Sequence, residues 1–299
     1  MNSKSHPTSG GMAFFVNIVS MNKQIARLLI LQLLLFGNDA LVTASVVDTV
    51  AVYSKSMNKT IKTVVITPQK YYAQAAVKYP VVYLLHGHSG NYKSWIQDVP
   101  SIIKAADELG MIIVCPDGGF NSWYINSPVD SLVKYDTYIA KELVPYIDSN
   151  YATITDKKAR AISGYSMGGH GALYLAIKHP DLFANVGSIC GGVNLRPFPN
   201  HWQLKNILGE LQSNTANWDN YSVINVVDAL TKGQLNMMID CGVDDFFLKV
   251  NRQLHEKLVA MKIPHEYIER DGGHNRNYWA NSIDYHFFYF KRMFAREGY

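Results

Sequence analysis

The sequence predicts an α/β fold, a mainly parallel sheet covered by helices on both faces. From about residue 46, short β-rich runs alternate with helical patterns, the mark of strands joined by helical crossovers. The β-rich runs stay nearly free of charge until their ends, as strands covered on both faces do. The chain has 299 residues, 48% hydrophobic and 17% charged, which is enough to bury a large core and excludes a disordered or collagen-like chain.

Residues 46–53 and 60–67 predict an opening antiparallel pair. The runs 81–85, 111–115, 159–164, 184–190, 236–241 and 265–269 follow, rich in Val, Ile, Leu or Met, and predict the inner strands. Between them, residues 102–109, 132–147, 168–178, 247–261 and 279–295 carry apolar residues at three- and four-residue spacing and predict amphipathic helices. Residues 191–235 break this rhythm with Pro197, Pro199, Trp202, Trp218 and many Asn; they predict an insertion over the sheet edge, partly helical.

The N-terminal 44 residues are expected to be a leader. Met21, the expected start, is followed by Lys23 and Arg27, an apolar run from Leu28 to Phe36, and Val42-Thr43-Ala44, small residues suited to signal peptidase. The apolar run is shorter than the ~20 residues a membrane span needs, so no stable membrane insertion is expected once the leader is removed. Residues 45–299 are expected to form one domain, secreted or periplasmic. The net charge of +4 is spread along the chain, so the basic patch of a nucleic-acid binder is missing and a small or neutral partner is expected. Cys115, Cys190 and Cys241 lie in or at the end of apolar runs and predict buried free thiols.

Gly164-Tyr165-Ser166-Met167-Gly168 stands where the strand 159–164 meets the helix that follows. A serine there sits on a tight strand-to-helix turn, with glycines two positions either side because a Cβ would collide with the neighbouring strand and helix. The helix N-terminus points free N–H groups to where negative charge develops. Such a serine needs a base oriented by an acid, in the chain order Ser, Asp or Glu, His. Of the ten histidines, His274 alone follows the last predicted strand in a glycine-rich loop, Asp271-Gly272-Gly273-His274; the others lie in the leader, before the serine, on helices, at a strand start or in the insertion. The acid is expected after the penultimate strand, in Cys241-Gly242-Val243-Asp244-Asp245-Phe246. A side chain three residues past Gly242 is placed to reach back across the strand ends, which favours Asp245 and leaves Asp244 solvated or capping the next helix.

The oxyanion donors are expected to be the amides of Met167, after the nucleophile, and His88, in the turn after residues 81–85. His86 is expected to brace that loop by hydrogen bonds. Trp123 and Tyr124 follow the strand 111–115 on the same sheet edge as the serine, and either stack on a sugar or aromatic acyl group or simply pack a long loop.

The stretches 84–91, Pro116-Asp117-Gly118-Gly119 with Ser122-Trp123-Tyr124, 164–171, 241–245 and Gly272-Gly273-His274 with Tyr278-Trp279 resemble the esterase D and feruloyl/acetylxylan esterase family of α/β-hydrolases. The resemblance covers nearly all of residues 45–299 in the right order. It implies a carboxylester hydrolase working through Ser166, Asp245 and His274, with no metal or organic cofactor and no large lid. Relatives often carry an aromatic residue two places after the histidine, where this chain has Arg276. A guanidinium there is expected to favour short esters of hydroxylated or carboxylate-bearing substrates over long alkyl chains. The expected activity is release of an acetyl or feruloyl group from a carbohydrate ester through an acyl-enzyme. Acyl transfer, a general short-chain esterase and a catalytically silent binding module are the alternatives.

Overall fold

The computed structural model describes residues 45–71 and 76–299. The leader reading of residues 1–44 lies outside the described residues. Eight strands form one sheet: β1 (Val46–Ser54), β2 (Lys59–Thr67), β3 (Val81–Leu85), β4 (Ile112–Pro116), β5 (Arg160–Gly164), β6 (Asn185–Ile189), β7 (Asn236–Gly242) and β8 (Glu266–Arg270). Their spatial order is β1-β2-β4-β3-β5-β6-β7-β8. β1 pairs antiparallel with β2, and β2 antiparallel with β4. All later pairings are parallel. This is the α/β-hydrolase fold, as expected. The chain reverses its direction across the sheet at β3, between β4 and β5, and such a switch point opens a crevice at the C-terminal strand ends.

Alternate residues of the inner strands feed two cores. Val81, Tyr83 and Leu85 point to one face, with Ile162 beside them; Val82 and Leu84 point to the other, with Ile113 and Ala161. The short helix α1 (Ser94–Asp98) and α2 (Ser101–Leu109) follow β3. They cover the second face together with α6 (Arg276–Arg296), which buries Ile283, Phe287 and Phe290. The first face is covered by α3 (residues 135–150), α4 (Met167–Lys178) and α5 (Leu248–Ala260).

Helix α3 runs through Tyr135–Thr137, Tyr138–Leu143 and Val144–Asn150, and its middle segment is a π-helix. A regular helix was expected from Leu132. Leu132 is instead exposed outside it, and the π-turn falls just before Pro145, whose missing N–H and bulky ring disfavour the ordinary i to i−4 bond.

The insertion departs further from expectation. It is partly helical, with short helices at Lys205–Leu208, Thr215–Tyr221 and Val223–Val226. It does not lie over a sheet edge, since the edges are β1 and β8. It packs against α4 and α5 and sends Leu204, Leu208, Trp218 and Val223 into the first core. Its apolar residues follow neither strand nor helix periodicity, so the sequence held no register from which to place it.

Candidate active site

Ser166 sits on the turn between β5 and α4 with φ 58° and ψ −120°, a conformation that costs a non-glycine residue about 1–3 kcal/mol. The surroundings leave it no alternative. A Cβ on Gly168 would come 2.1 Å from the Leu85 carbonyl oxygen, and one on Gly164 would come 2.5 Å from the Gly168 backbone. The Ser166 N–H donates to Ile189 O at 2.9 Å, which ties the turn to β6.

The loops after β7 and β8 are laced together. Val243 N–H donates to Arg270 O and Asp244 N–H to Gly272 O, both at 2.9 Å. A Cβ on Gly242 would come 2.3 Å from Gly272 O, so the two loops meet only because that residue is glycine. Below them, buried Asp240 on β7 pairs with Arg270 and accepts a hydrogen bond from Tyr278 Oη. Arg270 also donates to Ser282 Oγ at 2.6 Å. This network fixes the end of β8 and the start of α6, and Asn275 caps that helix by accepting from Tyr278 N–H at 3.1 Å.

The lacing sets Asp245 against His274. His274 Nδ1–H donates to Asp245 Oδ2 at 2.7 Å, and Ser166 Oγ–H donates to His274 Nε2 at 2.9 Å. The other Asp245 oxygen accepts from Phe247 N–H at 2.8 Å. Asp245 is buried. Asp244 is exposed and caps no helix, since α5 begins at Leu248 without a side-chain cap. Burial by itself lowers the His274 pKa, but the hydrogen bond and charge of Asp245, together with the neighbouring Cys190, outweigh burial and raise it above the ordinary imidazole value.

Met167 opens α4, so its N–H belongs to the first turn, where no intrahelical carbonyl reaches it. Among the described residues the His88 N–H takes no backbone acceptor. The His88 ring packs against Phe120 with centroids 4.8 Å apart. His86 braces the loop as expected: Nδ1–H donates to Gly87 O and Nε2 accepts from Gly118 N–H, both at 2.7 Å. Burial lowers its pKa, in keeping with a neutral ring that donates at one nitrogen and accepts at the other.

Trp123 and Tyr124 are corrected. They are 1% and 0% exposed, so neither offers a face to a ligand. Both have positive φ, which turns their side chains inward. Tyr124 is wedged where a Cβ on Gly118 or Gly171 would strike its ring, and its hydroxyl donates to His86 O. Trp123 packs edge-on against His170. The simple packing alternative is the one the structure realises.

Two different surfaces flank His274. On one side lies a cavity of about 440 Å³ whose walls include His88, Asn91, Gln97, Asp98, Arg276 and Trp279. Arg276 does border the site, as expected, but its charge is not free: Nε forms an ion pair with Asp98 Oδ1 at 2.8 Å. Tyr165 Oη–H donates to the other Asp98 oxygen at 3.2 Å, and the Tyr165 ring stacks on Trp279 at 4.1 Å. On the other side Phe246, 52% exposed, lies 4.2 Å from the His274 ring and stacks on Trp202. The sequence reading missed Asp98 and Phe246. A larger cavity of about 870 Å³, between α4 and the insertion, is lined by neither Ser166 nor His274.

Cys115, Cys190 and Cys241 are buried free thiols, as expected. Burial pushes the Cys190 thiol far up, so at neutral pH it is an uncharged S–H. Its sulfur lies within 4.8 Å of a His274 ring nitrogen.

Residues 54–288 match the Esterase family, described as "Putative esterase". An esterase of Mycobacterium tuberculosis, Rv1288, is 31% identical over 68% of this chain and 50% of its own length. The chain thus spans about half the length of this relative. The S-formylglutathione hydrolase of Mus musculus is 29% identical over 61% of this chain and 70% of its own. Among solved structures, a ferulic acid esterase superposes with a TM-score of 0.72 at 29% identity, covering 84% of this chain and 99% of that one. Fold, family match and overall sequence likeness agree, and the chain belongs to the Esterase family of α/β-hydrolases.

Proposed function

We propose that the chain is a serine esterase that works through an acyl-enzyme. The observation that carries this reading is the unbroken relay from Ser166 Oγ through His274 to Asp245, mounted on a strained strand-to-helix turn. In the forward step His274 Nε2 takes the Ser166 proton as Oγ attacks the ester carbonyl. Negative charge grows on the carbonyl oxygen, where the Met167 and His88 amides would donate. Asp245 stabilises the imidazolium through Nδ1–H. His274 then gives its proton to the departing alcohol, takes one from the water that attacks the acyl carbonyl, and returns it to Ser166 Oγ as the Oγ–acyl bond breaks and the acid leaves.

The substrate we propose is a carbohydrate ester bearing a short or aromatic acyl group. The cavity beside His274 supports a hydroxylated alcohol, because Ser89, Asn91, Ser94 and Gln97 supply neutral hydrogen-bonding groups next to the stacked pair Tyr165 and Trp279. Phe246 and Trp202 supply an aromatic surface for the acyl side. The thioester of glutathione fits this cavity less well. That tripeptide brings two carboxylates, and the one permanent cation among the lining residues is already paired with Asp98. Turnover of acetylated and feruloylated sugars, S-formylglutathione and long-chain acyl esters tests the reading. We expect kcat/KM to be highest for the sugar esters. Preference for S-formylglutathione would overturn the substrate assignment while leaving the esterase. For residues 21–44 we propose export, tested by the N-terminus of the mature protein, expected just after Ala44.

A further inference from the structure

Cys190 follows the last residue of β6 with φ 47°, at the C-terminal strand ends where the relay is assembled, yet the relay is complete without it. One ligand atom each from Cys190, Asp245 and His274 lies within 4.8 Å of the other two, and among the described residues no other trio of His, Cys, Asp and Glu offers such a set. We propose that this trio is an inhibitory site for a soft divalent cation of the zinc class, resting on the reading of Ser166 and His274 as nucleophile and base.

The donors are one sulfur, one imidazole nitrogen and one carboxylate oxygen, which suits zinc and its neighbours and not magnesium or calcium, whose shells are built from oxygen. Zinc bonds of roughly 2.0–2.3 Å place ligand atoms about 3.3–3.8 Å apart, so the trio must shift by an ångström or so to close on an ion. The charges also match. In the form active in turnover the thiol and imidazole are neutral and the carboxylate carries one negative charge; a protonated ring first releases its extra proton to solvent. The incoming M²⁺ displaces the thiol proton to solvent, and the resulting thiolate, carboxylate and cation sum to zero. A buried cluster with no net charge avoids most of the cost of burying an ion. Entry is from the His274 side, since Cys190 and Asp245 are buried and His274 is partly exposed.

Inhibition follows from where the proton is left. Nδ1 is the ring nitrogen on the Asp245 side. When Nδ1 binds the cation, the proton it carried must move to Nε2. Nε2 then has no lone pair to accept from Ser166 Oγ, and Asp245 no longer orients the ring. Turnover stops although Ser166 is untouched.

The test uses the full chain and two readouts. Cobalt(II) chloride should give a thiolate-to-cobalt charge-transfer band with the wild type, with Ser166→Ala and with Cys115→Ala, but not with Cys190→Ala. Zinc chloride should abolish ester turnover, reversibly with EDTA. Normalised to its own zinc-free rate, Cys190→Ala should need at least about ten-fold more zinc for half inhibition. If Cys190→Ala folds poorly, Cys190→Ser serves, and a zinc-dependent rise in Tm for wild type and Ser166→Ala, absent in the cysteine variant, replaces the inhibition curve. Absence of the band in wild type, or its persistence in the cysteine variant, overturns the site. The band in Ser166→Ala needs no turnover, so it decides the site even if the chain proves not to be an esterase.

Discussion

The strand-to-helix turn at Ser166 and the rim around His274 are held in place by different means. The turn is fixed by backbone contacts: glycines at 164 and 168 meet carbonyls closer than any Cβ could, and the whole of β5 is buried. The loops of the rim are laced by backbone hydrogen bonds, but the side chains that face the cavity are held more loosely. Arg276 is 73% exposed and tied by one ion pair, and exposed Phe246 is held by the rings of Trp202, Phe247 and His274. An exposed ion pair contributes about 0–1 kcal/mol. The chemistry therefore tolerates almost no change, whereas the rim can be rewritten at little cost to the fold, and selectivity is where variants should act.

The largest effect should come from the relay. Ser166→Ala or His274→Ala should lower kcat by about four orders of magnitude with the circular dichroism spectrum unchanged, because the pair acts as one unit. Several per cent of wild-type turnover in either would contradict the relay. Asp245→Asn should be severely impaired and the exposed Asp244→Asn nearly normal; the reverse ranking would move the acid.

The donor side is next. His88→Ala keeps its N–H and should keep most of kcat, while His88→Pro loses the donor and should fall by about a hundred-fold or more. Strong loss in the alanine variant would assign the role to the imidazole.

The pH profile then sharpens the electrostatics. The base must be neutral to accept the Ser166 proton, and Asp245 raises the His274 pKa above the ordinary 6.5. kcat/KM should therefore climb with pH along a limb displaced to the alkaline side of that value. In Asp245→Asn the residual activity should show the limb moved to lower pH. An unmoved limb would mean that another group controls it.

The smallest effect belongs to the rim. Asp98→Asn frees the Arg276 charge and should shift kcat/KM toward carboxylate-bearing esters by roughly ten-fold, about 1.4 kcal/mol of differential transition-state binding. Arg276→Trp should shift the ratio the other way, toward aromatic or apolar esters. Unchanged ratios in both would place the alcohol outside the 440 Å³ cavity.

This same contrast decided what the sequence made legible. The turn could be read because its cause is local: two glycines, a strand before and a helix after. His274 and Asp245 followed from chain order and from glycine-rich loops at strand ends. The rim could not be read, because Asp98 lies on α1 and Arg276 on α6, and no periodicity links them. For Trp123 the sequence left stacking and packing open, because a loop aromatic does not declare which way it points until the loop is folded. Cys190 was legible as a buried thiol, but its place beside His274 needs the ends of β6 and β8 brought together.

The central claim is that Ser166 is the activated nucleophile. Its most direct test is peptide mapping by mass spectrometry after treatment with a fluorophosphonate ester. The expected result is one adduct per chain, on the peptide carrying Ser166, absent in Ser166→Ala and strongly slowed in His274→Ala. A folded wild type that takes up no label, or takes it on any other serine, would contradict the account.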